Sequence, residues 1–273
     1  MLKFCGHTMG VPGMGVVEAM RLFGELGYEG IEIRCSDQGT IDPADFGRDL
    51  AATINAARRE TGVAVACLTP YFRQFHVPAE REAEMAGMRA TIDMAARVEC
   101  LLVRSFAGKN PPMAGPEHER AWDEYVSALQ ALGREAAREG VGFAIESHGG
   151  TLAPSLAEAV RLARAIDLDN VGVLMDYANA YEFGPHGREA VELVAPHLKH
   201  VHMKDHLVAA DGSFETVDFG AGNVGWPEVL GELVAVGYDG YVSDEYERCW
   251  HPELPPAEVA MKQHIDWLRA WGS

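Results

Sequence analysis

Four stretches in the second half of the chain each run from apolar residues into a side chain able to hold a divalent cation. GFAIESHGG carries Glu146, VGVLMDYAN carries Asp176, HVHMKD carries His202 and GYVSDEYE carries Glu245. Two glutamates, an aspartate and a histidine form a mixed oxygen and nitrogen donor set. Such a set suits one Mn²⁺, Mg²⁺, Co²⁺ or Zn²⁺ ion, with positions left for water or a substrate oxygen. If each stretch is a strand, side chains alternate across it, so Glu146 shares a face with Ala144, Asp176 with Leu174 and His202 with His200. The ligands then stand above small or apolar residues. Singly, each has a plain alternative: a carboxylate just past a strand can cap a helix, and a strand histidine can be a hydrogen-bonded core residue. Convergence of four ligands at neighbouring strand ends separates the set from those readings.

The elements that must position these residues are legible as apolar, β-rich runs alternating with longer amphipathic stretches. Strands are expected at Leu2–Cys5, Gly30–Ile33, Val63–Leu68, Leu101–Arg104, Gly142–Glu146, Val171–Asp176, Leu198–Met203 and Tyr241–Glu245. Between them helices are expected at Val16–Leu26, Pro43–Thr61, Ala79–Val98, His118–Glu139, Ser155–Ala165, Gly187–Ala195, Pro227–Val236 and Pro256–Trp271. Glycines in GYEG, REGVG and VGYDG mark helix ends before the next strand, where a left-handed cap costs glycine nothing. The alternation predicts βαβ units around a parallel sheet. No G-x-G-x-x-G turn follows an early strand, which disfavours a doubly wound sheet and favours one α/β domain over 1–273, a (β/α)8 barrel. In such a barrel the active site lies at the C-terminal ends of the strands, where the four ligands stand.

Hydrophobic residues at 48% and charged residues at 23% are the balance of a globular chain with a sizeable core. With no signal-peptide pattern and no apolar run able to span a bilayer, the expectation is a cytoplasmic protein without a membrane partner. A formal charge of −18, with no Lys/Arg-rich stripe to offset it, argues against nucleic acid as a partner. Five cysteines (Cys5, Cys35, Cys67, Cys100, Cys249) are odd in number and lack a CxxC pair, so they read as reduced thiols, Cys5, Cys67 and Cys100 as small core hydrophobes. The loop Lys109–Gly115 is rich in Pro and Gly and reads as a cover over the barrel mouth or a passive surface loop. The glycine-rich Asp218–Trp226 reads as a tight turn, with phosphate binding as the alternative.

Taken together the motifs resemble those of the xylose-isomerase-like barrel superfamily, the sugar phosphate isomerases/epimerases, whose relatives include ketose 3-epimerases, hydroxypyruvate isomerase, inosose dehydratase and endonuclease IV. GYEGIEIR resembles its G-Y-x-G-[IV]-E, IESH its E-x-H, MDYAN its D-x-x-[HN], HVHMKD its H-[VL]-x-D and GYVSDEYE its closing G-Y-x-x-x-x-E. The resemblance covers nearly the whole chain. It implies that Glu146, Asp176, His202 and Glu245 bind one divalent metal, Mn²⁺ before Mg²⁺, Co²⁺ or Zn²⁺, and that Glu146 and Glu245 double as an acid/base pair. Two departures stand out. Asn179 occupies the place of a substrate-contacting histidine, and Val208 that of an arginine common in ketose 3-epimerases. The extra histidines of endonuclease IV have no counterparts in CLTPYF or VRSFAG, in keeping with the acidic charge.

His148 and Lys204 fall in register with Glu146 and His202, and Arg104, His7, Tyr71 and Glu32 end or follow other strands. With Asn179, the first five are candidates for substrate contact. Glu32 is a further pocket-lining candidate, and Glu247 reads as a cap of the loop into the last helix. The implied chemistry is proton abstraction next to a carbonyl of a small carbohydrate-like substrate through a metal-stabilised enediolate, an isomerase or epimerase reaction. A dehydratase of the inosose type is the alternative, followed by a non-catalytic metal-binding barrel and a nuclease. A homo-oligomer is compatible with all of these.

Overall fold

Each apolar run becomes a strand and each amphipathic run a helix packed over it, in a computed structural model that describes residues 2–272. The strands are β1 (Lys3–His7), β2 (Gly30–Cys35), β3 (Ala64–Pro70), β4 (Leu102–Ser105), β5 (Gly142–Glu146), β6 (Val171–Asp176), β7 (Leu198–Met203), β8 (Asp205–Val208), β9 (Phe214–Val217) and β10 (Tyr241–Asp244). The helices are α1 (Val16–Leu26), α2 (Arg48–Thr61), α3 (Arg81–Arg97), α4 (Gly115–Arg138), α5 (Leu156–Ile166), α6 (Tyr177–Ala180), α7 (Gly187–Val194), α8 (Trp226–Ala235) and α9 (Ala257–Trp271). Eight strands close a barrel in the order β1-β10-β7-β6-β5-β4-β3-β2, while β8 and β9 form a separate antiparallel hairpin. The neighbouring barrel strands pair in parallel. This is the expected (β/α)8 architecture.

Parallel neighbours require a crossover, and the helices that make it bury one apolar face each. In α1 that face is Val16, Ala19, Met20, Phe23 and Leu26, a spacing of three and four residues. Met20 and Phe23 are fully buried, each contributing on the order of 2 kcal/mol. The helix stops at Gly27, whose φ of 108° is left-handed and whose N–H donates to Phe23 O at 2.9 Å. Helix α5 starts where Ser155 accepts from the N–H of Glu158.

Beyond strand bounds that shift by one to two residues and the short helix α6, which was not expected, three differences from the sequence expectation stand out. The expected helix over 43–61 is broken, because Asp42 caps a short 3-10 turn (Pro43–Asp45) and Phe46 and Gly47 are extended before α2 begins. Helix α4 starts at Gly115 rather than His118, since Pro116 tolerates the first turn. The hairpin β8/β9 lies in a stretch read as loop. There Asp205 accepts from the backbone N–H groups of Gly220 (2.9 Å) and Gly222 (3.0 Å), and a Cβ at Gly222 would meet Asp205 Oδ1 at 2.1 Å. The glycines of 218–226 therefore serve a tight turn around a carboxylate, and two of the amides a phosphate would need are already taken.

Candidate metal centre

Register brings the four expected ligands to one level of the barrel. Glu146 lies opposite Leu174, Asp176 opposite His202, and His202 opposite Ser243. Glu245 continues the ladder one residue past β10, its N–H donating to Met203 O at 2.9 Å. One ligand atom from each of Glu146, Asp176, His202 and Glu245 lies within 4.8 Å of the others. None of the four is more than 3% exposed. Three carboxylates taken out of water this close together need positive charge to offset them.

His202 is oriented from beneath. Its Nε2 is 2.9 Å from Glu32 Oε1, and the other oxygen of the same carboxylate is 2.9 Å from His200 Nε2. A carboxylate at Nε2 holds a proton there and would leave the Nδ1 lone pair to a bound metal, the arrangement by which an outer carboxylate aims a metal-binding imidazole. Without an ion, burial pulls the imidazole down, but Glu245 and Glu32 outweigh it and raise His202 well above its ordinary value. Nδ1 faces the three other ligands, 3.1 Å from Glu245 Oε1, 3.9 Å from Glu146 Oε1 and 4.0 Å from Asp176 Oδ2. It is buried and makes no hydrogen bond of good geometry. Burial pushes the Glu32 carboxyl up, yet His202, His200 and His7 outweigh it and hold Glu32 well below the usual carboxylate range. The layer under the ligands is therefore a Glu32–His200 pair, where the sequence reading put only small or apolar residues.

Cations hold one oxygen of each of the three carboxylates. Arg104 Nη1 donates to Glu146 Oε2 at 3.0 Å, and Lys204 Nζ donates to Asp176 Oδ2 at 2.7 Å, Glu245 Oε2 at 2.5 Å and Glu247 Oε1 at 3.2 Å. Even so, burial pushes the Asp176 carboxyl up to about 7 against the pull of Lys204. Burial also pushes the Glu245 carboxyl up, but His202 and Lys204 outweigh it and hold Glu245 well below the usual carboxylate range. The donor set, the unpartnered imidazole nitrogen and the buried negative charge all fit a divalent ion of the kind bound by mixed O and N ligands.

A cavity of about 610 Å³ opens above this cluster, and Glu146, Lys204 and Glu245 form part of its wall. Of the other residues expected to contact substrate, Arg104, Tyr71 and His148 also line it. His7 and Asn179 do not. His7 is fully buried, its Nδ1 accepting from the N–H of Met9 and its Nε2 3.2 Å from Thr69 Oγ1, with its ring edge-on to His202. Asn179 turns inward, donating Nδ2 to Asp176 Oδ2 at 2.5 Å, so it braces a candidate ligand. Glu247, read as a helix cap, instead lines the cavity and pairs with Lys204.

The sequence reading also passed over Arg34, Arg73, Phe106 and Trp250, all in the cavity wall. Arg34 was discoverable, since it alternates with Glu32 on β2 and must share its face. Trp250 and Arg73 lie in irregular segments with no periodic signal. The Lys109–Gly115 loop contributes Lys109 to the same wall.

A family model described as xylose isomerase-like TIM barrel matches residues 20–271. Inosose dehydratase of Salmonella typhimurium is 32% identical over 168 residues, 54% of this chain and 54% of that protein. The chain spans about half the length of the curated relatives it matches. Among solved structures, a D-tagatose 3-epimerase-like protein superposes with a TM-score of 0.80 at 21% identity, covering 99% of this chain and 97% of that one. An IOLI protein described with a bound zinc atom gives 0.79 at 18% identity, covering 96% and 95%. At these identities the two structures speak to the fold.

Proposed function

The chain belongs to the xylose isomerase-like TIM barrel family, and from that premise we propose that it is a divalent-metal-dependent isomerase or epimerase acting on a small polyhydroxylated carbonyl compound. The observation that carries this reading is His202 Nδ1, buried, without a hydrogen bond and facing three carboxylates. Glu146, Asp176, His202 and Glu245 would hold the ion, Mn²⁺ before Mg²⁺, Co²⁺ or Zn²⁺, and when bound it supplies a Lewis acid for the carbonyl and hydroxyl oxygens of the substrate.

The protein's own groups do the rest. Glu146 and Glu245 reach the cavity from β5 and from beyond β10, so one can take the proton next to the carbonyl while the other returns a proton to the opposite face or the adjacent carbon. Arg104 fixes Glu146 through its buried ion pair, and Lys204 fixes Glu245. Lys204 also presents an ammonium to the cavity, where it can donate to a substrate oxygen. Near-complete burial of both glutamates keeps bulk water from competing for the proton.

A second reading is dehydration, and Lys204 together with the likeness to an inosose dehydratase favours it. An ammonium beside the base can protonate a leaving hydroxyl, which turns proton abstraction into loss of water. Incubating the metal-loaded protein with ketoses, inososes and keto acids in deuterated water, followed by NMR, tests both. Deuterium at an inverted or neighbouring carbon supports the first reading, and an unsaturated product supports the second. No solvent exchange and no product across the panel would count against both.

A further inference from the structure

The wall of the cavity beyond Glu146 is strongly cationic. Three guanidinium groups gather around the ring of Tyr71, with Arg104 Cζ 4.8 Å, Arg34 Cζ 5.4 Å and Arg73 Cζ 5.9 Å from its centroid. Arg104 and Arg73 also lie over Phe106, at 3.9 and 5.3 Å. Lys109 joins them in lining the cavity.

Only Arg104 has a carboxylate partner, Glu146. Its Nε is buried without a hydrogen bond although the residue is 1% exposed. Arg34 donates to the neutral acceptors Tyr71 Oη and Gln38 O. The guanidinium of Arg73 and the ammonium of Lys109 have no hydrogen-bonding acceptor among the described residues. Asp37 is on the same rim, yet no ion pair within 4.0 Å joins it to any of these groups. In a chain carrying 18 excess negative charges, Arg34, Arg73 and Lys109 line one wall without a carboxylate within ion-pair distance, and such a wall forms a site that lacks an anion. Burial and the nearby Arg104 both push the Arg73 guanidinium down from its ordinary value.

We propose that this end of the cavity is an anion subsite in which Arg34, Arg73 and Lys109 receive a carboxylate or phosphate group of the substrate. The substrate is then an acidic hydroxy-carbonyl compound, bound by its anionic end at Tyr71 and presenting its carbonyl end to Glu146 and Glu245. Placement of the carbonyl end rests on the function proposed above, whereas the anion subsite stands on the cations alone. Guanidinium forks suit the paired oxygens of either anion, and Tyr71 and Phe106 give them rigid backing.

The test is calorimetric titration of the metal-free 273-residue chain with glycerol, D-glycerate and glycerol 3-phosphate, which share a backbone and differ in charge. At least one anion should bind tenfold or more tighter than glycerol, about the worth of one charge-assisted hydrogen bond. The arm that binds names the group as carboxylate or phosphate. Arg73→Gln and Lys109→Gln together should abolish that preference, so that the anion binds no tighter than glycerol. Lys109→Gln alone, at an exposed position, should reduce it several-fold without altering the melting temperature, which covers the case of a poorly folded Arg73 variant. Equal affinity for all three probes, or an anion preference untouched in either variant, would overturn the proposal. Because no metal is present, failure here leaves the metal reading standing, and failure of a separate metal titration leaves the anion subsite standing.

Discussion

Glu32 and His202, 170 residues apart in sequence, are joined by a 2.9 Å contact between Oε1 and Nε2 at the centre of the barrel. The bond decides which imidazole nitrogen faces the three other candidate ligands. It also makes the candidate metal centre depend on a residue that does not line the cavity.

Replacing Glu32 by Gln keeps the shape but removes the charge that holds the His202 proton on Nε2. Metal affinity should fall about 10- to 100-fold, the usual effect of losing such an outer partner. Calorimetric titration with Mn²⁺ checks this, and an unchanged dissociation constant would show that Glu32 has only a packing role.

Glu146→Gln and Glu245→Gln each retain an oxygen ligand and lose a proton acceptor. Turnover on an authentic substrate should drop roughly 10²-fold or more in each, with a smaller loss of metal affinity. His202→Ala should do the reverse, with activity partly restored at high metal concentration. Either glutamine variant turning over at near wild-type rate would end the two-base mechanism.

Arg104→Met leaves the Glu146 carboxylate buried without its partner. Breaking a buried pair from one side costs about 3–5 kcal/mol, so urea unfolding of the metal-free protein should shift by that order. In a Glu146→Gln background the same substitution should cost clearly less. Equal costs in both backgrounds would mean that Arg104 acts by packing alone.

His264 sits between Asp244 Oδ2 (3.0 Å from Nδ1) and Asp218 Oδ1 (2.9 Å from Nε2). Burial opposes its charge, but the two carboxylates win and push its pKa up to about 10. A raised folded-state value means that the protonated form stabilises the fold. That contribution is full below the unfolded-state value near 6.5 and is lost as pH rises through about 10. His264→Asn should therefore be less stable than wild type at pH 6, with the gap closing towards pH 10 in urea melts. A gap independent of pH would refute a charged His264.

Much of the site was readable because strands carry a period of two. Strands β5, β6 and β7 have the bounds expected from their apolar runs, and that registers Glu146, Asp176 and His202. What escaped the reading depends on tertiary partners. Nothing local says that His200 faces a glutamate from β2 rather than an apolar layer, or that Asn179 turns back onto Asp176. The hairpin Asp205–Val208 with Phe214–Val217 is short and polar, and the glycine-rich turn that follows it is organised by Asp205 accepting from two amides fifteen and seventeen residues away. Glu247 and Trp250 enter the cavity from irregular backbone, where no periodicity exists to read.

The order of strands around the barrel places β10 as the last stave, flanked by β7 and β1. Glu245 follows it directly, and the other three candidate ligands stand on the three staves beside it. An ion gripping all four would act as a rivet across the neighbouring staves β5, β6, β7 and β10. Free energy of binding then becomes resistance to opening, about 2.7 kcal/mol at a hundred times the dissociation constant. The carboxyl-terminal half, which carries all four, should resist protease longer when metal is abundant than when it is chelated, so that the same four side chains would couple metal supply to the lifetime of the protein.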